Sequence, residues 1–361
     1  MWSKQWKTLI GFLLGLGVVV TLVKPALPQI PSFNLIIALA PPSQVKLQKP
    51  HWSTFQRAFI GSVLRGEDRL LVGSNAKVEV LCSNWTKWIA PKGRVSTVNE
   101  GCPSPGGRRI IESDDDTGDT RAVNNPNTPY LLSPRNTSLL NNRPTLSWHP
   151  VEGAETYSVR VRGQASDLDW KTKTKETEIV YSGEQPLPPG YYWLTVETDN
   201  GQRSRDEGVF GFTVLDTKQA TTLLNEVKEL QQKQLNEEAK TLALAHFYLS
   251  EDLKHDAIDI LENSMKDANQ LVASYQLLGD TYKKVGLNRL AKERYLKGLE
   301  LAQSVSDLNS QAEIQKRLVT IARIIDSKEE ALQWLEKVQV SYRALGDESK
   351  VRQLEENKRE I

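Results

Sequence analysis

Histidine and cysteine are scarce in this chain, with four and two copies in 361 residues. His51, His149, His246 and His255 fall in separate segments, and His246 and His255 do not share the spacing that places two metal ligands on one helix face. Charge of one sign is also missing. Lys and Arg number 46 against 45 Asp and Glu, and no basic stripe with interleaved aromatics occurs, so nucleic acid is not an expected partner. The motifs G-x-S-x-G, H-E-x-x-H, G-x-G-x-x-G and the phosphate loop are absent. The acids Asp114, Asp115, Asp116 and Asp119 lack calcium-loop spacing. These absences point away from an enzyme and from any metal or cofactor.

A long hydrophobic run is lacking too. Leu9 to Val23 is apolar or small, follows Lys4 and Lys7, and is closed by Lys24-Pro25. That is short for a spanning helix, which needs about 20 apolar residues, and fits the grammar of a leader. A second patch, Phe33 to Ala40, ends in Ala38-Leu39-Ala40 and resembles a cleavage site. Residues 1–40 are therefore expected to be a signal peptide or a membrane anchor. Either places the rest outside the cytoplasm, in the periplasm or cell envelope, held to the inner membrane in the uncleaved case.

What is present divides into modules of mixed β + α class. The stretch 41–58 is Pro-rich and polar, and predicts a linker. From Phe59, short apolar runs alternate with turns: Leu70-Leu71-Val72-Gly73, then Ala76, Val78 and Val80 alternating with Lys77 and Glu79. This texture, over 59–103, resembles the small all-β domain of the FecR type, which implies envelope signalling or ligand binding. Cys82 and Cys102 lie within it. Two cysteines close in sequence in an exported chain suggest a disulfide. Residues 104–135 predict a solvated linker.

Residues 136–216 predict a β-sandwich. Leu146 and Trp148 mark one strand, and Tyr157, Val159 and Val161 alternate with polar neighbours. Leu187 to Gly190 makes a turn, and Tyr192, Leu194 and Val196 alternate with Tyr191, Trp193 and Thr195. With Gly153-Ala154, these residues resemble a fibronectin type III domain. Tyr191 and Trp193 should face away from Tyr192, which makes them candidates for stacking on a cell-wall glycan or a partner.

From Thr217 onward proline disappears, and Leu, Ala, Glu and Lys dominate, as in helices. A first helix over 223–235 would use Leu224, Val227 and Leu230 as one face. Tyr275, Leu278-Gly279, Tyr282, Ala291, Tyr295 and Gly298 then follow the spacing of a tetratricopeptide repeat. Leu244-Ala245, Tyr248, Ala257 and Leu261 fall 34 positions earlier, in the same register. After Leu301 a polar insertion shifts the third helix pair. The region 217–361 resembles a divergent tetratricopeptide array, in which small residues sit where helices cross and neighbours stack to bury a shared face. The resemblance implies a concave protein-binding surface, on which His246, Gln276, Asp280 and Lys283 would lie.

The expected function is a non-enzymatic envelope scaffold that binds a protein partner on this concave face, with the membrane contacted through the N-terminal segment. The alternatives are a FecR-like sensor or a cell-wall or sugar-binding protein.

Overall fold

The computed structural model describes residues 34–102, 122–266 and 270–358. The leader or anchor expected from Leu9 to Val23 lies outside them, as does the acidic cluster at Asp114 to Asp119.

The first module holds eight short strands: β1 (Asn34–Ala40), β2 (Val45–Gln48), β3 (Gln56–Arg57), β4 (Val63–Leu64), β5 (Arg69–Val72), β6 (Lys77–Leu81), β7 (Lys87–Ile89) and β8 (Val95–Thr97). They form two four-stranded sheets, in the orders β4-β1-β6-β7 and β3-β2-β5-β8. This corrects two expectations. The apolar patch ending in Ala38-Leu39-Ala40 is a sheet strand: Ala38 pairs with Glu79, Leu39 with Val78 and Ala40 with Lys77. A strand buried on both faces is apolar without alternation, and Leu35, Ile36 and Ile37 are buried, so β1 looks like a leader segment when read alone. The expected linker at 41–58 carries β2 and β3 and buries Val45, Leu47, Trp52 and Ala58. Among the described residues the module thus extends back to Asn34, well before Phe59. A disulfide joins Cys82 to Cys102, with both residues buried.

The second module packs a five-stranded sheet on a three-stranded one. Its strands are β9 (Leu131–Ser133), β10 (Thr137–Leu139), β11 (Thr145–Trp148), β12 (Tyr157–Gly163), β13 (Asp169–Thr174), β14 (Glu178–Val180), β15 (Gly190–Thr198) and β16 (Gly211–Val214). The sheet orders are β10-β16-β15-β12-β13 and β14-β11-β9. Period-two alternation puts Tyr157, Val159, Val161, Tyr192, Leu194 and Val196 inside, over Leu146 and Trp148. The linker expected up to 135 is shorter than that. Strand β9 lies within it and pairs with β11, and Ala122, Asn124 and Arg135 are buried.

Among the described residues eight helices follow: α1 (Thr217–Gln231), α2 (Glu237–Ser250), α3 (Lys254–Ser264), α4 (Val272–Lys284), α5 (Asn288–Ser304), α6 (Leu308–Ile325), α7 (Lys328–Leu345) and α8 (Glu348–Asn357). The buried side of α1 is Ala220, Leu223, Val227 and Leu230, while Leu224 points outward at 44% exposure. The i, i+3, i+7, i+10 stripe runs one residue earlier than the face expected from Leu224. Turns of like geometry recur between the helices. Asp252 and Gly286 adopt positive φ at 62° and 79°, and behind them Leu253 N donates to Tyr248 O, and Leu287 N to Tyr282 O, each at 2.8 Å. The same turn recurs at Ser306 and Gly346, where φ is 57° and 72°, and this last pair is spaced more widely than the first because α6 and α7 are longer than α3 and α4. At the crossings, a Cβ on Gly279 would lie 2.5 Å from the Tyr295 ring, and one on Gly298 would lie 2.9 Å from Tyr275 Cβ. Ala245, Ala257 and Ala291 are fully buried beside Leu244, Leu261 and Leu278, with Tyr248 half-buried.

No helix among the described residues is long and apolar enough to cross a membrane. The first module and the helices share one continuous apolar core, whereas the sandwich keeps a core of its own.

Candidate functional site

The face built by the first helix of each pair, α2, α4 and α6, is the one expected to hold a partner. The N-terminal β module covers it. The segment Phe59–Val63 lies against α2, α4 and α6, enclosing with them a cavity of about 70 Å³ that Lys49, His246, Gln276 and Asp280 also line. Gly61 makes the closest approach. Its φ is +85°, and a Cβ there would come within 2.3 Å of Ala273 Cβ and 3.2 Å of Leu242 Cδ1. Only glycine fits such a backbone this close to a neighbour. Elsewhere along the same seam, Trp85 meets Phe247 with ring centroids 6.5 Å apart, and Lys87 Nζ donates to Gln234 O at 3.2 Å. At the far end, a Cβ on Gly346 would come within 2.0 Å of Ser53 Oγ.

Beneath the wedge runs a buried charge network. Arg317 Nε donates to Asp280 Oδ1 at 2.6 Å, and Arg317 NH1 donates to Glu313 O at 2.9 Å. Tyr295 OH donates to the same Asp280 oxygen at 2.6 Å. Lys350 Nζ and Tyr342 OH donate to Glu313 Oε1 at 2.6 and 3.0 Å. The network ties α4, α5, α6, α7 and α8 together. Burial works against the charge on Glu313, but Lys350, Arg317 and Lys49 hold it well below the usual carboxylate range. Burial likewise opposes Arg317, yet Asp280 and Glu313 push it well above its normal value. Buried charges persist only when paired and hydrogen-bonded in this way. Lys49 comes from the β module, so the module supplies part of the compensating charge.

The expected partner-binding residues therefore divide. His246 and Asp280 are buried, not surface groups. Asp280 is an anchor of the network. The His246 Nδ1 is buried without a hydrogen-bond partner among the described residues, and burial, with Lys284 nearby, lowers its pKa to about 4. Gln276 and Lys283 are half-buried, and Gln276 lines the cavity under the wedge. Helical periodicity assigns residues to faces but does not reveal what covers a face, and here the cover lies about 200 positions away in the chain.

The sandwich meets the array along another edge, through the equivalent turns at Asp252 and Gly286. Arg135 is buried, with Nε donating to Val285 O at 2.6 Å, NH2 to Gly286 O at 3.0 Å and NH1 to Leu131 O at 3.0 Å. Its guanidinium stacks 3.4 Å over the Phe210 ring. Burial lowers its pKa to about 10, with Glu207 and Tyr130 opposing. Asn124 Nδ2 also donates to Gly286 O, at 2.9 Å. Ser138 N donates to Asp252 O, and Lys254 Nζ to Asn136 O. Neither Arg135 nor Arg317 was marked by the sequence. The first follows a proline in an apparent linker, and the second forms an ordinary i, i+4 pair with Glu313.

Tyr191 and Trp193 lie on the outward face of β15, opposite the buried Tyr192. Their rings meet edge to face at 5.7 Å and 84°. Among the described residues no group of three His, Cys, Asp or Glu side chains is arranged to hold a metal ion. No protein-family model matches the chain, and no curated protein matches it.

Proposed function

We propose that this chain is an exported, non-enzymatic scaffold whose tetratricopeptide-like array acts as a spine for two β modules. In this reading the groove that such arrays offer to partner proteins is used in cis, by the FecR-like module, and the fibronectin III-like sandwich is docked on the repeat turns. A partner protein in the envelope then meets the outer surfaces, where Leu296 on α5 and Val340 on α7 are 40% and 64% exposed. The observation that carries the reading is the wedge at Gly61, which fills the groove with this chain's own backbone. The Cys82–Cys102 bridge supports export, because such bridges persist in oxidising compartments.

Photo-crosslinking residues placed singly at Gln276 and at Val340 test it in the native envelope. The expected outcome is an intramolecular adduct with residues 59–63 from position 276, and adducts to a second protein from position 340. Intermolecular adducts from position 276 would instead favour a groove open to partners. A reporter fused after Leu215 should be active outside the cytoplasm; activity only inside would remove the export half of the reading.

A further inference from the structure

We infer that the outward face of the five-stranded sheet binds an acidic polysaccharide chain. Cross-strand register builds this face in rows. Lys173 and Glu197 flank Ser158, Lys171 and Thr195 flank Arg160, and Asp169 and Trp193 flank Arg162. Successive rows lie about 7 Å apart along the strands. Arg203 bridges to Glu197 from the following loop, and Arg205 lies next to it. Two contiguous grooves of about 510 and 350 Å³ run over these residues and share Arg160, Thr195 and Arg205.

The charge on this face is unbalanced in a chain whose net charge is only +1. Six cations stand against two carboxylates. Asp169 is held by Arg160 at 2.6 Å and by Lys171 at 3.3 Å, and Glu197 by Arg203 at 3.3 Å. Arg162, Lys173 and Arg205 have no ion pair among the described residues, and all three are exposed. Two of them, Arg162 and Arg205, line the second groove with the half-buried Trp193 and the 60%-exposed Val209.

This combination selects the ligand class. Uncompensated cations concentrate a polyanion and steer its approach. A sheet face with rows of guanidinium and ammonium groups suits an extended polymer, and guanidinium matches carboxylate geometry. The aromatic pair gives a C–H-bearing pyranose ring a surface to stack on, which a bare acidic peptide backbone would not use. A nucleic acid would also stack, but the disulfide marks an oxidising compartment, where anionic glycans are the abundant acidic polymers. The assignment shares the export part of the proposed function and is independent of where a partner protein docks.

The test uses the purified full chain and immobilised polygalacturonate at low ionic strength, with polyglutamate, oligothymidylate and neutral dextran as comparators. Polygalacturonate should bind tightest and weaken steeply with salt. R162E/R205E should weaken it about tenfold or more, and W193A about fivefold, while the distant charge reversal K92E leaves it unchanged. The variant residues are exposed or half-buried, and thermal melts confirm that each variant stays folded. Equal binding of polyglutamate with no effect of W193A, tighter binding of oligothymidylate, an equal loss in K92E, or no binding at all would each overturn the assignment. Because binding is measured on purified protein, its failure is separable from a failure of export, which the reporter fusion reads.

Discussion

Two β modules of similar size meet the same helical array by opposite means. The core of the N-terminal module is continuous with that of the helices: Leu35, Val45 and Val78 belong to the same apolar cluster as Leu242, Leu278 and Leu318. The sandwich has its own core, around Trp148, Tyr192 and Phe212, and docks through hydrogen bonds from Arg135, Asn124 and Ser138 to turn carbonyls, with Tyr130, Leu132 and Leu140 packing on the shared cluster. The first contact is of the kind that folds as one piece. The second resembles the polar interfaces between domains that fold alone. Helices with an apolar face must cover it, and the comparison indicates that these helices do so with the chain's own first module, leaving the sandwich as the more independent part.

Breaking each contact should give different signatures. Arg317→Met leaves Asp280 buried without its cation, while Lys350 still pairs with Glu313, and should cost about 4 kcal/mol, read as a lower denaturation midpoint for the first module and helices together. Gly61→Val combines a positive φ with overlap onto Ala273, and should cost about 3 kcal/mol in the same transition. Arg135→Met removes three carbonyl partners, and should cost about 2 kcal/mol. Its effect should be selective, releasing the sandwich while that module keeps its own melting transition, as calorimetry would resolve. Acidification gives a subtler effect. His246 is held neutral when folded, with a pKa near 4, so below its ordinary value of about 6.5 the unfolded chain takes up the proton first. The stability that depends on neutral His246 is then lost progressively from pH 6.5 down to about 4, reaching roughly 2 kcal/mol at pH 5. His246→Gln should flatten that part of the pH–stability curve; an unchanged curve would mean that the ring is hydrated in solution.

The parts of the fold that could be read from sequence are those governed by local pattern. Alternation found β12 and β15, and the small residues Ala245, Gly279 and Gly298 found the helix crossings. Burial that depends on distant partners escaped. Strand β1 resembled a leader because a doubly buried strand and a leader are both continuously apolar. Val45 and Leu47 were hidden in a Lys- and Pro-rich stretch too short to show a period. His246 and Asp280 were assigned to an open groove because helical phase identifies a face, not its occupant. For the candidate glycan surface, Tyr191 and Trp193 were visible from alternation. The cations Arg160, Arg162, Lys171 and Arg205 become a patch only once register aligns three strands and a loop.

Native-state hydrogen exchange tests most directly the claim that the first module and the helices form one structural unit. The account predicts that the slowest amides of β1 and of α4 exchange through one shared opening, with equal free energies and equal denaturant dependence, and that Gly61→Val lowers both together while the core amides of β12 and β15 are unaffected. If α4 opens at lower free energy while β1 stays protected, the module does not hold the helical face closed and the account is contradicted.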